Sequence, residues 1–483
     1  MFRILQIFVA VFLITGCGNK QNPPPQAESG SLNEPLHAIP FERDLEDILE
    51  DGKLTAITTY SSTSYFLYKG KPMGFEYELL KSFTDYLGVD LEIIVAQNID
   101  SLFSNLQRGK VDLIAHGLTI TNARKDEVLF TDYLYLTHQV LVQKKPDNWR
   151  KMNWSAIERS LIQDAIELIG DTVSVREETS YLQRLRNMSD EIGGEIIIDT
   201  LQGTTTTDDA IEMVLSDEIK YTVSDDNIAN LFATYYPILD IDVPISFSQR
   251  IAWASRVNSP QLAESVNKWL AYVKKDVYYY IIYNKYFKNS KDFRKRVKSE
   301  FYSLNNQSIS IYDDLIKEQA NKIGWDWRML ASLVYQESRF EPRAESWAGA
   351  AGLMQIMPAT AAELGVKNRS DPAQSLKGGS NYLNTLYGYF ESIPDTTQRL
   401  KLTMASYNCG YGHVQDAQRL ATKNGLDPEI WDDNVEKMIL ALNKSQNYND
   451  PVVEHGYLRG HEPYNYVQQI FERYDHYKQF IKD

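Results

Sequence analysis

The apolar residues of this 483-residue chain are patterned in one way before residue 290 or so and in another after it. Upstream, short apolar runs alternate with amphipathic stretches. Leu54-Thr55-Ala56-Ile57 reads as a buried strand, and Gly74-Phe75-Glu76-Tyr77-Glu78-Leu79-Leu80 opens a helix that ends at Gly88. Residues 91–95 read as a strand, 99–107 as a helix and 111–115 as a strand. Strands alternating with helices imply a mostly parallel sheet, and such sheets bind ligands at the C-terminal ends of their strands. From about residue 309 the pattern is helical only. One helix covers 311–323 and closes at Gly324, and Asp326 caps the next. Pro358 starts a helix ending at Gly365, and Asp371-Pro372 starts another that runs to about Phe390. Residues 400–407, 435–442 and 466–481 are further helices, and no strand pattern is convincing. The expected fold is therefore two-domain, an α/β half followed by a mainly α half.

The ends of these halves set the remaining boundaries. Residues 1–17 carry Arg3 and then an apolar run from Ile4 to Ile14 broken only by Gln6, too short to span a bilayer. They read as a signal peptide, and Ile14-Thr15-Gly16-Cys17 resembles a lipobox. That resemblance implies cleavage before Cys17 and lipidation of its thiol. Gly18 in place of Asp favours the outer membrane, with the protein facing the periplasm. Residues 18–45 read as a linker, rich in Asn, Gln, Pro and Ser up to Pro40. The α/β unit takes 46–290, a polar and basic connector 291–308, and the helical unit 309–483. The basic cluster from Lys288 to Lys298 reads as a solvated face, with a role on wall polymer or phospholipid as the alternative. The net charge of −15 argues against nucleic acid as a partner. Once Cys17 is set aside, Cys409 stands alone, so no intramolecular disulfide framework exists. The seven histidines form no metal-binding spacing, and neither metal nor cofactor is expected.

Chemistry concentrates between residues 330 and 360. Leu330, Leu333 and Val334 precede Glu337 by seven, four and three residues, which places its carboxyl at the end of an apolar stripe near a helix C-terminus. Desolvation and the negative end of the helix dipole both disfavour the anion, as a general acid requires. Gly352-Leu353-Met354-Gln355, Ala405-Ser406-Tyr407-Asn408 and Tyr464-Asn465-Tyr466 follow. In this order the segments resemble the lysozyme-like domain of lytic transglycosylases, which cleave the glycan of peptidoglycan. The resemblance implies that Glu337 first protonates the glycosidic oxygen between N-acetylmuramic acid and N-acetylglucosamine. It then takes the proton of the muramic C6 hydroxyl, leaving a 1,6-anhydro end without adding water. It further implies that Ser338, Met354, Gln355, Tyr407 and Asn408 meet the substrate and that Tyr466 orients Glu337, with Tyr464 as a rival. Glu341 and Glu345 read as surface acids, either of which could activate water in a hydrolase.

The first unit carries a second set of segments. Gly117-Leu118-Thr119-Ile120-Thr121-Asn122-Ala123-Arg124-Lys125, with Gly74-Phe75, Gly109-Lys110-Val111-Asp112 and Phe130-Thr131-Asp132-Tyr133, resembles periplasmic solute-binding proteins of the polar amino-acid class. The resemblance implies two lobes. The first takes 46–138 and 248–290, the second 144–243, and hinge crossings lie at 139–142 and 244–247. It implies that Arg124 clamps a ligand carboxylate, that Thr119 donates a further hydrogen bond, and that Asp225 meets a ligand ammonium. Glu177-Glu178-Thr179 departs from the family's small-residue turn, so an ordinary amino acid is in doubt as the ligand. A wall-derived muropeptide or amino-acid-like molecule is expected there, regulating the Glu337 cleft. The module order resembles the membrane-bound lytic transglycosylase F family. Two alternatives stay open: a lysozyme-type hydrolase, and a non-catalytic lipoprotein that senses peptidoglycan.

Overall fold

The computed structural model describes residues 41–96, 98–177, 179–304 and 307–482. Cys17 and the linker up to Pro40 lie outside them, as does Glu178. The first lobe is built on a mixed sheet. Asp90–Ala96, Lys53–Thr59 and Leu113–Thr119 run parallel, and Gln249–Ser255 returns antiparallel beside Leu113–Thr119. Parallel neighbours need crossover helices, supplied by Phe75–Leu87 and Ile99–Gln107. Phe83, Trp253 and Trp269 fill the core beneath, the two indoles stacked 6.0 Å apart.

The second lobe pairs Gln139–Lys144 with Tyr221–Asp225 and Leu239–Asp240, and pairs Thr172–Arg176 with Ile197–Leu201. This moves the expected crossing. Residues 139–142 belong to a second-lobe strand, because Gln139 already stands opposite Asp225 in the ladder. The chain passes between lobes just before them, at Thr137-His138. The return crossing runs alongside, with Leu141 N–H donating to Val243 O and Ile245 N–H to Gln139 O.

The connector packs more deeply than its polar, basic sequence suggests. Ser290–Val297 is a helix that buries Phe293 against Phe232 of the second lobe, 5.3 Å between ring centroids. Beyond it, Lys69 N–H donates to Phe301 O and Ser303 N–H to Leu67 O, which lays the connector against the hairpin Phe66–Tyr68/Lys71–Met73. Single aromatics such as Phe293 and Tyr302 make no stripe, so the sequence pattern does not reveal their burial.

The last unit is helical, and among its described residues only isolated bridges occur, in the loop between Glu345 and Ile356. Thr396–Cys409 and Tyr411–Lys423 break at Gly410 (φ 89°), and the second of these helices has no counterpart in the expected set. The closing helix starts at His461 rather than Tyr466. It ties the halves together. Tyr477 hydroxyl donates to Gly70 O (2.8 Å), Gln479 Nε2 to Ile93 O (2.7 Å) and Gln468 Nε2 to Asp90 Oδ1 (2.6 Å). First lobe and helical half share one apolar core, whereas the second lobe has its own.

Candidate active site and interlobe cleft

Asp326 caps helix Trp327–Ser338 by accepting from Arg328 N–H, and Tyr474 hydroxyl fixes the cap at 2.9 Å. The helix buries Met329, Leu330, Leu333 and Val334 and delivers Glu337 one residue before its end. The chain then turns through two consecutive left-handed non-glycine residues, Arg339 (φ 53°) and Phe340 (φ 63°), a costly geometry that its surroundings must hold.

Burial pushes the Glu337 carboxyl up to about 7, against a hydrogen bond from Tyr466 hydroxyl to Oε1 that pulls the other way. Tyr466, rather than Tyr464, is thus the phenol on the acid. Tyr407 hydroxyl donates to Met354 O at 2.7 Å. Burial and then the neighbouring Glu337 hold both Tyr407 and Tyr466 well above the usual phenol range. One carboxyl and two phenols therefore meet in one place, with Tyr466 buried and Glu337 and Tyr407 half-buried.

Several expected substrate contacts turn inward instead. Ser338 is buried, with its hydroxyl 2.8 Å from Leu353 O and 3.1 Å from Val334 O, so it ties the 352–356 loop to the acid helix. Met354 is fully buried; its backbone N–H donates to Ser375 Oγ and its carbonyl receives Tyr407. Gln355 (φ 47°) donates from Nε2 to Ala344 O and Gly352 O, each at 3.0 Å, bracing the loop. Gly352 (φ 87°) is fixed by space as well as conformation, since a Cβ there would lie 1.8 Å from Arg369 O. Asn408, one residue past Tyr407, is exposed, as are Glu341 and Glu345. Burial raises the Cys409 thiol to about 12, which removes it as a nucleophile.

The interlobe cleft collects the second set. Thr119, at the C-terminal end of its strand, has its hydroxyl 3.1 Å from Ser180 Oγ across the lobes. Arg124 Nη1 donates to Thr119 O at 3.2 Å, and its guanidinium stacks over Phe103. Asp225 is buried, pushed up to about 7 by desolvation, and its Oδ1 has no hydrogen-bond partner among the described residues. Pattern reading missed Glu76, His116, Arg176 and Asp208. Glu76 is fully buried, raised to about 7, with Oε2 unpartnered. His116 is driven down to about 3 by burial and then by Arg176 and Arg124. Asp208 Oδ2 accepts from Ser62 N–H across the lobes at 2.7 Å. The one available signal was acids inside apolar runs, as at Phe75-Glu76-Tyr77. Arg124 and Arg176 both approach Tyr181, which in turn bonds Asp225, so cations and unsatisfied carboxylates are held in one cleft, an arrangement that suits a zwitterionic ligand.

Two family descriptions match the chain: "Transglycosylase SLT domain" over residues 314–428 and "Bacterial extracellular solute-binding proteins, family 3" over residues 45–289. The fold and these two matches accordingly define a peptidoglycan lytic transglycosylase whose helical half follows a solute-binding-protein-like half. A membrane-bound lytic murein transglycosylase F of Desulfosudis oleivorans is 37% identical over 438 residues, 90% of this chain and 92% of that one. Another from Shewanella loihica is 30% identical over 98% of this chain and 92% of its own. The chain belongs to the membrane-bound lytic murein transglycosylase F family. Among solved structures, the P235GK mutant of ArgBP from T. maritima is similar at 26% identity, covering 50% of this chain and 99% of its own, with a TM-score of 0.42.

Proposed function

We propose that Glu337 alone serves as acid and then base, cutting the bond between N-acetylmuramic acid and N-acetylglucosamine without water. Protonated Glu337 gives its proton to the glycosidic oxygen as the bond from C1 breaks. The carboxylate so formed takes the proton of the muramic C6 hydroxyl, whose oxygen closes onto C1 as a 1,6-anhydro ring. The carrying observation is a half-buried carboxyl at a helix end, raised to about 7 and held by the Tyr466 hydroxyl. A two-carboxyl hydrolase needs a second acid across the bond, whereas among the described residues the hydrogen bonds around Glu337 bring it a phenol, Tyr466, and no second carboxyl. Tyr466 orients the acid, Tyr407 and Ser338 hold the Met354-Gln355 wall, and exposed Asn408 meets the sugar's N-acetyl group. Digestion of purified sacculi by the chain from Gly18 onward, beside Glu337→Gln, tests this. Anhydro-muropeptides must form with the first and vanish with the second.

The same reading makes the solute-binding-like half a regulatory site. A muropeptide or amino-acid-like ligand would set its carboxylate on Arg124 with help from Thr119, and its ammonium near Asp225 and Glu76. A route to the acid supports this. Glu76 lies three residues beyond hairpin strand Lys71–Met73, and the hairpin's turn at Gly70 packs on Tyr335 and Phe340, which flank Glu337. Closure of the lobes would shift the connector, which packs on the second lobe through Phe293 and bonds the hairpin through Phe301 and Ser303, and so alter access to the cleft, and glycan in the cleft would change ligand affinity equally. Saturating muropeptide that leaves both turnover and glycan affinity unchanged would falsify the coupling. We also place the chain at the outer membrane, anchored through a lipid on Cys17. Among the described residues no helix is long and apolar enough to cross a membrane. Metabolic labelling with palmitate, lost in Cys17→Ala, tests the anchor.

A further inference from the structure

The face made by helices Val277–Phe287 and Ser290–Val297 combines two features found in sequence order. On the first helix, Val277, Tyr280 and Ile281 recur at one, three and four positions' spacing on a single outward face, 70%, 55% and 57% exposed. The opposite face is buried through Tyr279, Ile282 and Tyr286. After about three turns that outward face ends at Lys288, where a lysine stripe begins. Lys288, Lys291, Lys295 and Lys298 follow at intervals of three, four and three, all exposed, while Phe293 and Arg296 point the other way into the protein. A recess of about 360 Å³ lies where the stripes join, lined by Asn284, Lys288, Asn289, Ser290 and Lys291. The acids around it lie mostly off the lysine stripe: exposed Asp276 at the far end, Asp85 and Glu78 near Tyr278 with Glu78 paired to Lys285, and Glu300 beyond the last lysine, while Asp292 is engaged by Asn289 Nδ2 and lies 4.0 Å from Lys295.

We propose that this face docks on an anionic phospholipid surface. An apolar and tyrosine stripe beside a lysine stripe is the composition that seats an interfacial helix, the first entering the headgroup layer and the second meeting its phosphates. On a chain of net charge −15 the lysine stripe is a local reversal of sign, complementary to anionic lipid and not to the rest of the molecule. The start of the described chain also fits. Asp44 accepts from Gln261 and Leu262 N–H, pinning the chain's entry to the N-terminus of helix Pro260–Val273. That helix is about 20 Å long, and only Lys274, Lys275 and Asp276 separate its other end from Val277. The 23 residues from Gly18 to Pro40 could extend at most about 80 Å, ample for a membrane-attached N-terminus to leave this face on the bilayer. The contact would fix which side of the molecule faces the membrane and which faces the wall.

The test uses the chain from Gly18 onward, without any lipid, so it does not depend on Cys17. It is sedimented with vesicles of phosphatidylcholine alone or with one third phosphatidylglycerol, at low and high salt. The protein should sediment with the anionic vesicles only, and high salt should release it. The double variant Lys291→Glu, Lys295→Glu should lower partitioning at least about tenfold. Val277→Ser with Ile281→Ser, which leaves the charge unchanged, should lower it several-fold, about as expected for lost apolar burial. Glycan cleavage in solution should match the parent in all variants, which confirms that they fold. Equal binding to both vesicle types, no binding to either, or binding undiminished by charge reversal overturns the proposal. Self-association of the parent through this face without vesicle binding overturns it in favour of an interface between copies.

Discussion

Glu337 carries two opposed demands, and its surroundings meet both. To donate it must be protonated near neutral pH, which burial achieves by raising its carboxyl to about 7. To accept it must be aimed, which Tyr466 achieves at the cost of favouring the anion. Removing that hydroxyl in Tyr466→Phe should therefore raise the acid further. The alkaline limb of kcat/KM should move to higher pH while kcat drops about 10- to 100-fold. The raised value also has a stability consequence. Unfolded, the group titrates near the ordinary 4.5. Below that pH it is protonated in both states and costs nothing. Between there and about 7 the folded state holds more protons, so stability falls as pH rises, and above 7 the full cost persists. Glu337→Gln should abolish cleavage yet raise stability at pH 8 by on the order of 2–3 kcal/mol. Thermal melts at pH 5 should show almost none of that gain. In the interlobe cleft, Glu76 and Asp225 are likewise raised to about 7. A ligand ammonium would favour their ionised forms, so binding near pH 6.5 should release protons, read as a buffer-dependent heat in titration calorimetry. At this scale the acid was legible in the sequence because a helical stripe runs straight into it. Ser338 was not, because its hydroxyl is claimed by Leu353 O, fifteen residues away, and adjacency to the acid says nothing about such a partner.

Among the elements, the hairpin Phe66–Tyr68/Lys71–Met73 links the two halves. Its turn passes through Lys69 (φ 51°) and Gly70 (φ 71°). A Cβ on Gly70 would sit 2.6 Å from Tyr477 Oη and 2.8 Å from Phe340 Cε2, inside the residues that bound the acid helix. Gly70→Ala should cost roughly 1–3 kcal/mol and depress kcat more than KM, because it displaces Phe340 and with it the turn after Glu337. Tyr477→Phe, which loses one hydrogen bond but no space, should cost about 1 kcal/mol and leave kcat nearly intact. A kcat equally reduced in both would point to global loosening. Element type was largely legible, since short apolar runs between amphipathic stretches mark the first half and amphipathic stretches alone mark the second. Boundaries were less so where partners decide them. Gln139–Lys144 could be assigned to the second lobe only by seeing it paired with Tyr221–Asp225, and helix Ser290–Val297 is anchored by the single ring of Phe293.

Across the whole molecule, one apolar core runs from Ile48 in the first lobe to Ile481 at the end of the helical half, while the second lobe has separate cores. The helical half produced alone would expose the face of its closing helix that holds Tyr477 and His476, both buried here. It should melt well below the full chain, and hydrogen exchange should place the second lobe among the first parts to open. Module order was legible because each half carries its own motif segments. Their fusion into one core was not, since bonds such as Tyr477 to Gly70 join residues 407 positions apart. The central claim, that one carboxyl and the substrate's own hydroxyl suffice, is tested most directly by digesting sacculi in water enriched in oxygen-18 and weighing the products. Muramic ends lighter by one water than hydrolysis products, and carrying no heavy oxygen, are what a single Glu337 acting twice must leave. Muramic ends bearing oxygen-18 would mean that water attacks C1, and that a second carboxylate has yet to be found.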